Sequence, residues 1–322
     1  MNTYFAYRLP HNSEVHYLKG DLVKRESLTE IYGRGILICD FRSENIYQLE
    51  NIEEITADEF EFQYGIQLNH STTFEVYKEA FDRLQENIFS GRFEKIVLTK
   101  TKVVNVDVDP MRIFEQLKKN YLNTFNYLLS SPELGTWMGA TPEMLCEIED
   151  KKVTAISLAG TKIQSETWTD KEIEEQLYVT RFIKERLKNL HCRNIEVDGP
   201  HNIQAGPVMH LQTTITGQLL SKEVWRKVLD DLHPTPATCG IPAVKSKEFI
   251  RDIESHKRSI YTGFIGVFTE ESKKCYVNLR CMELFKDKAV IYVGGGITAG
   301  STVEKEWKET ERKAETLERF LK

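Results

Sequence analysis

Along this chain the hydrophobic pattern switches repeatedly between a helical repeat and strand-like runs, and many of the strand-like runs are separated by connections of hairpin length. A crossover between parallel strands needs roughly a dozen residues or more. Runs such as 144–149 and 153–158, or 275–282 and 289–294, leave no room for one. Further strand-like runs lie at 35–39, 60–64, 95–104, 125–130, 210–219 and 259–268. The spacing predicts a helix over 74–88, with Tyr77, Phe81, Leu84 and Ile88 on one face. It predicts a longer one over 169–187 on Ile173, Leu177, Phe182, Ile183 and Leu187. A third falls near 246–255, and a terminal helix spans 303–321 behind the capping-box pattern Ser301-x-x-Glu304. The fold class is therefore α+β, with large antiparallel or mixed sheets rather than a regular βαβ winding. No repeat, low-complexity tract or Pro/Ser-rich linker divides the chain, so residues 1–322 read as one domain. In it 1–65 are expected to complete the sheets and 66–322 to form the main core.

Composition narrows the function classes. Charged residues are 29% of the chain and the net charge is -6, which argues against a general nucleic-acid binder. A small anionic ligand stays open, because a site for one needs only a few local cations or a metal. No apolar run approaches the ~18 residues of a membrane span, and the start MNTYFAYRLPHNSE lacks the hydrophobic stretch of a secretory signal. The six cysteines are scattered without a CxxC pair, as suits reduced thiols in a cytoplasm.

Several constellations could carry chemistry. Glu172 and Glu175 lie one helical turn apart, as do Glu306 and Glu309. Carboxylates so placed can hold a hard cation such as Mg²⁺, but acidic residues three apart also make an ordinary solvated face. Thr169-x-x-Glu172 is in addition a capping box. The glycine run Gly294–Gly296 precedes the last helix and suits either anion binding by backbone N–H groups or a tight turn. Arg280 is one guanidinium in an otherwise apolar run, fit for a carboxylate or for a strand end in water. Lys95 and Glu143 each stand at the mouth of an apolar run, where desolvation could make one a base and the other an acid. Surface positions would suit both equally. His210 reads as a polar anchor or as a satisfied core histidine.

Together these segments resemble the chorismate-binding enzyme family. The blocks are Lys95-Ile-Val-Leu, Gly139-Ala-Thr-Pro-Glu143, Leu158-Ala-Gly-Thr161, Lys171-Glu-Ile-Glu-Glu175, His210-Leu, Leu232-His-Pro-Thr-Pro-Ala237, Ile260-Tyr-Thr-Gly263, Leu279-Arg-Cys281, Gly294-Gly-Gly-Ile297 and Glu306-Trp-Lys-Glu309, all in order. The resemblance implies a single anthranilate synthase component I-like domain of two stacked, mostly antiparallel sheets with helices outside. It also bears on the reaction. Aminating members carry glutamine where this chain has Lys95, and aminodeoxychorismate synthases carry lysine where it has Ala159. Salicylate synthases usually carry threonine at the position of Ala237. The implied activity is isochorismate synthase, with salicylate synthase and a non-catalytic chorismate-binding protein as the alternatives.

What the resemblance assigns is as follows. Lys95 activates water and Glu143 protonates the departing hydroxyl. Glu175 and Glu309 hold Mg²⁺, with Glu172 and Glu306 reaching it through waters. Gly160 and Thr161 contact the ring carboxylate, while Arg280, Tyr261 and the Gly296 backbone receive the enolpyruvyl carboxylate. His210, Ala237 and Gly294 line the substrate, and Lys313 balances the acidic cluster. One departure stands out: Gln176 follows Glu175 where relatives usually have histidine. The resemblance further implies chorismate as a small-molecule partner and no glutaminase subunit; the accompanying expectations are no nucleic-acid or membrane partner, a monomer, a cytoplasmic location and, with no siderophore-related feature in view, a place in menaquinone synthesis.

Overall fold

The computed structural model describes residues 2–65, 70–163, 167–205 and 208–322, with Ala159, Thr161, Ile163, Lys171, Ala205 and Val208 described by backbone alone. Among the described residues the strands are β1 (Thr3–Arg8), β2 (His16–Arg25), β3 (Gly35–Cys39), β4 (Ile46–Glu54), β5 (Lys95–Asn105), β6 (Phe125–Ser131), β7 (Gly135–Thr141) and β8 (Met144–Glu149). They continue as β9 (Lys152–Ile163), β10 (Arg193–Ala205), β11 (Val208–Gln218), β12 (Gly240–Ile241), β13 (Phe264–Phe268), β14 (Ser272–Val277), β15 (Cys281–Leu284) and β16 (Lys288–Ile297). The helices are α1 (Phe74–Phe89), α2 (Pro110–Asn120), α3 (Asp170–Asn189), α4 (Trp225–Leu232), α5 (Ala243–Ile253) and α6 (Val303–Glu318). No helix among the described residues is long and apolar enough to cross a membrane.

Hydrogen bonding runs through all 16 strands in the order β10-β11-β9-β8-β14-β13-β3-β4-β2-β1-β6-β7-β15-β16-β5-β12. Every pairing described is antiparallel. This ribbon doubles back on itself. Phe125 of β6 stacks on Tyr276 of β14 with centroids 4.4 Å apart, although the two strands do not pair. Phe5, Tyr127, Trp137, Ile265 and Tyr292 share the core between the two layers. Alternation along each strand sends the other side chains outward, where α3 and α4 cover one layer and α2 and α6 the other. The α+β class and the stacked antiparallel arrangement are thus borne out.

Local chemistry sets the helix starts. Thr73 caps α1 by accepting from Val76 N, and Asp109 with Pro110 opens α2. The capping box of Thr169 and Glu172 is present at α3. The expected box at Ser301 and Glu304 is not: Thr302 is the N-cap of α6, and the Ser301 hydroxyl turns instead to Glu306 Oε1 at 2.6 Å. The run 60–64 is not a strand.

Two further departures shape the site. The run 275–282 is broken into β14 and β15, because Arg280 takes φ 46°, outside the strand region. The run 259–268 is strand only from Phe264 on; Ser259 (φ 51°) and Thr262 (φ 60°) turn the chain before it. The two breaks clasp each other. Thr262 N donates to Asn278 O, Asn278 N to Gly263 O, and the Asn278 amide to Ile260 O. Gly294 to Ile297 belong to β16 and do not form a turn.

Candidate active site

The first strand of chemical interest is β5. Its opening residue Lys95 is 1% exposed, and its Nζ donates to Glu175 Oε1 of α3 at 2.6 Å. Gly296 on the neighbouring strand makes this possible. A Cβ there would lie 2.5 Å from Lys95 Cε and 3.2 Å from Glu175 Oε1. Gly160 does a similar service on β9: at φ 72° it is already in the left-handed region, and a Cβ would meet the Glu172 carbonyl at 3.0 Å. Helix α3 therefore presses directly against β9, with Glu175 aimed toward β5.

Glu143, in the link between β7 and β8, is buried beside this pair. Burial pushes its carboxyl up to about 7, and the opposing charge of Lys95 does not bring it back. Glu175 behaves oppositely. Burial raises it, but the Lys95 charge and hydrogen bond overcome that and hold it below the usual carboxylate range. Two carboxyls near one lysine, Glu143 buried and Glu175 half-buried, are thus driven apart, the pattern expected where one must carry a proton and the other a charge.

Arg280 supplies the cationic wall. Its guanidinium is lowered by burial, and among the described residues no carboxylate is hydrogen-bonded to it. Its charge also helps hold His210 down to about 4, second to burial itself. A neutral His210 protonated at Nδ1 donates to the Gly160 carbonyl, 3.2 Å away. Tyr261 is 4% exposed on the turn before β13 and senses the charge of Glu143. Ala237 is half-buried in the turn after α4. The Thr161 side chain, like that of Ala159, lies outside the described residues; the Thr161 backbone pairs with His210.

The four glutamates are placed unequally. Glu175 and Glu309 are close enough to feel each other's charge, and Lys313 bonds Glu309 at 2.8 Å and the Gly294 carbonyl at 3.0 Å. Glu306 bonds Ser301 and lies over Gly295, whose neighbour Gly296 faces the opposite way toward Glu175. Glu172 caps the first turn of α3 through the Thr169 N–H. Among the described residues no three metal-ligating side chains are gathered as they stand. The donor chemistry still fits a hard divalent cation: carboxylate oxygens only, two of them in electrostatic contact, each balanced by a lysine that a cation could replace.

Sequence reasoning singled out Gln176 only as a departure from relatives, and it missed both the supporting role of that residue and the pair Glu254 and Arg258. Gln176 is 1% exposed and donates to Thr213 Oγ1 at 2.7 Å, while Thr180 donates to its carbonyl at 3.2 Å. Glu254 and Arg258 form a buried pair at 2.7 Å. Opposite charges four residues apart are too common on surfaces to have singled that pair out.

Comparison with known proteins agrees with this construction. The profile of the chorismate binding enzyme family matches residues 38–319, and the chain belongs to that family. It is 28% identical over 251 residues to the chloroplastic isochorismate synthase of Catharanthus roseus, covering 73% of this chain and 43% of that one. It is equally 28% identical over 254 residues to anthranilate synthase component 1 of Archaeoglobus fulgidus, covering 74% and 60%. The chain thus spans about half the length of these curated relatives. The structure of the menaquinone-specific isochorismate synthase of Escherichia coli superposes with a TM-score of 0.84 at 19% identity, over 99% of this chain and 89% of that one.

Proposed function

We propose that the chain is an isochorismate synthase, adding water at C2 of chorismate and expelling the C4 hydroxyl. The observation that carries this is the buried pair Lys95 and Glu143, in electrostatic contact and with Glu143 retaining a proton near neutrality. Binding alone would need neither group; a reaction that removes one proton and delivers another needs both. Glu143 donates to the departing hydroxyl oxygen. Lys95 acts as the free amine, its ammonium proton having passed to solvent, and takes a proton from the attacking water. Arg280, half-buried and with no carboxylate hydrogen-bonded to it among the described residues, receives the enolpyruvyl carboxylate beside Tyr261 and the Gly296 backbone. His210, Gly160, Thr161, Ala237 and Gly294 border the ring. Glu175 and Glu309 would hold Mg²⁺, with Glu172 and Glu306 further out, and the bound ion would supply positive charge for the ring carboxylate.

Lys95 in place of the glutamine of aminating relatives supports water as the nucleophile. Ala159 and Ala237 support release of isochorismate without amination or pyruvate loss. We place the protein in the cytoplasm as a single-domain monomer without a glutaminase subunit, supplying menaquinone synthesis. The test is to incubate the purified chain with chorismate and Mg²⁺ and resolve the products by chromatography. Isochorismate at equilibrium with chorismate is expected. Salicylate as the main early product, or anthranilate on adding ammonia, would refute the assignment.

A further inference from the structure

Strand β5, which carries Lys95, lies almost at the end of the sheet. One edge pairs with β16 along nearly its whole length. Among the described residues the other edge meets the two-residue β12, which pairs with Lys95 and Ile96, and the Cys239 carbonyl just before it, which accepts from Val97 N at 2.8 Å. Beyond that point the edge exposes backbone groups that a further strand would ordinarily satisfy, and burial makes each costly to leave unpaired. Two side chains take the place of that strand. Arg258 Nη2 donates to the Val97 carbonyl at 2.7 Å, and Glu254 Oε1 accepts from the Thr99 N–H and hydroxyl, both at 2.8 Å. Past them the edge is taken up by Thr72, which bonds Thr101.

The same two residues reach the other walls of the site. Arg258 Nη1 donates to the Thr238 carbonyl at 2.8 Å, next to Ala237, and lies 3.4 Å from Thr262 Oγ1. The Arg258 carbonyl accepts from Tyr261 N at 2.9 Å. Glu254 holds the guanidinium through both Nε and Nη2, at 2.9 and 2.7 Å. The side chains of both are almost wholly buried, 3% and 2% exposed, so this is not a solvated surface pair.

We infer that Glu254 and Arg258 are positioning residues, a side-chain substitute for a missing strand that fastens the Lys95 strand, the Ala237 turn and the Tyr261 turn into one frame. The inference rests on the reading of Lys95 as the water-activating group. Neither residue touches the reacting atoms in this account. They set the distance across which Lys95 faces Glu143, and reaction rates are steep in such distances.

Arg258→Lys separates this role from plain charge balance. Lysine keeps a cation beside Glu254, but a single nitrogen cannot reach Val97, Thr238 and Glu254 in the same plane. The expected result is a melting temperature near that of the parent with kcat for chorismate down by on the order of ten- to a hundredfold, and a smaller change in KM. Parent kcat and KM in Arg258→Lys, or a loss that only tracks the unfolded fraction, overturns the inference. If that variant does not fold, the double variant Glu254→Leu with Arg258→Met takes over, since apolar replacement of a buried pair is often tolerated. Folded with lowered kcat, it supports the role; folded with parent kcat, or unable to fold like the lysine variant, it shows the pair serving the fold alone. Lys95→Ala assayed alongside keeps the two readings apart. Loss of turnover there with parent turnover in Arg258→Lys removes this inference only, whereas parent turnover in Lys95→Ala removes both.

Discussion

Lys95 and Lys100 stand five residues apart on β5, each 1% exposed, yet they sit in opposite surroundings. Their odd and even positions send them to opposite faces of the strand. Lys100 meets α6, where it bonds Glu311 and lies 3.3 Å from the centre of the Trp307 ring. Burial lowers it, and its partner Glu311, though burial raises it, is held below the usual carboxylate range by its bonds to Lys100 and Lys102. Lys95 meets α3 and the β7–β8 link, where one carboxyl takes its hydrogen bond and a second is held at about 7. Burial alone therefore does not make a lysine reactive. What differs is a neighbour whose own ionisation is left undecided.

Substitutions can break this contrast. Lys95→Ala is expected to lower chorismate turnover by about 10²–10⁴-fold, the usual range for a general acid or base, with circular dichroism and melting close to the parent. A comparable loss from Lys100→Met in the folded state would erase the distinction. Glu143→Gln should cost nearly as much, and its pH profile is the sharper reading. Burial pushes Glu143 up to about 7 from an ordinary 4.5, so its carboxyl keeps its proton below about 7. Parent activity should then fall about tenfold per pH unit above that point, and the residual activity of Glu143→Gln should not. The sign for stability follows too: because the value is raised on folding, the contribution of Glu143 is fully present below 4.5 and is lost as pH rises through about 7.

Smaller effects test the packing. Gly296→Ala should displace Lys95 and reduce kcat by on the order of tenfold, read by steady-state kinetics at unchanged melting temperature. Lys100→Met should leave turnover intact and cost about 1–2 kcal/mol in denaturant unfolding. The cost is modest because Glu311 keeps Lys102 as a partner at 3.1 Å and is itself partly solvated.

Much of the frame could be read from the sequence because it follows from periodicity. The apolar run after Lys95, the helix bearing Glu175 and its capping box all emerged where the pattern put them. What failed to emerge were the irregular points. Nothing in Tyr276–Leu279 announces that Arg280 will leave the strand region, because φ there is imposed by the Asn278 clasp to a turn some 15 residues earlier in the chain, a separation typical of tertiary override. The run before Phe264 is apolar enough to mimic a strand, and only its two positive φ values undo it. Buried charges such as Glu254 and Arg258 depend on partners from Val97, Thr99 and Thr238, distant segments that no local window contains.

The footing of α3 has one more consequence. Gln176, with Ser157, Thr180 and Thr213 around it, ties the buried face of the helix that presents Glu175 to the sheet through amides and hydroxyls. None of these titrates between acid and alkali, whereas an imidazole in that place would change its charge within the physiological range. This attachment of α3 to the sheet therefore carries no charge that pH could change, and the titratable contacts of the helix are left to Glu172 at its cap and to Glu175 facing Lys95.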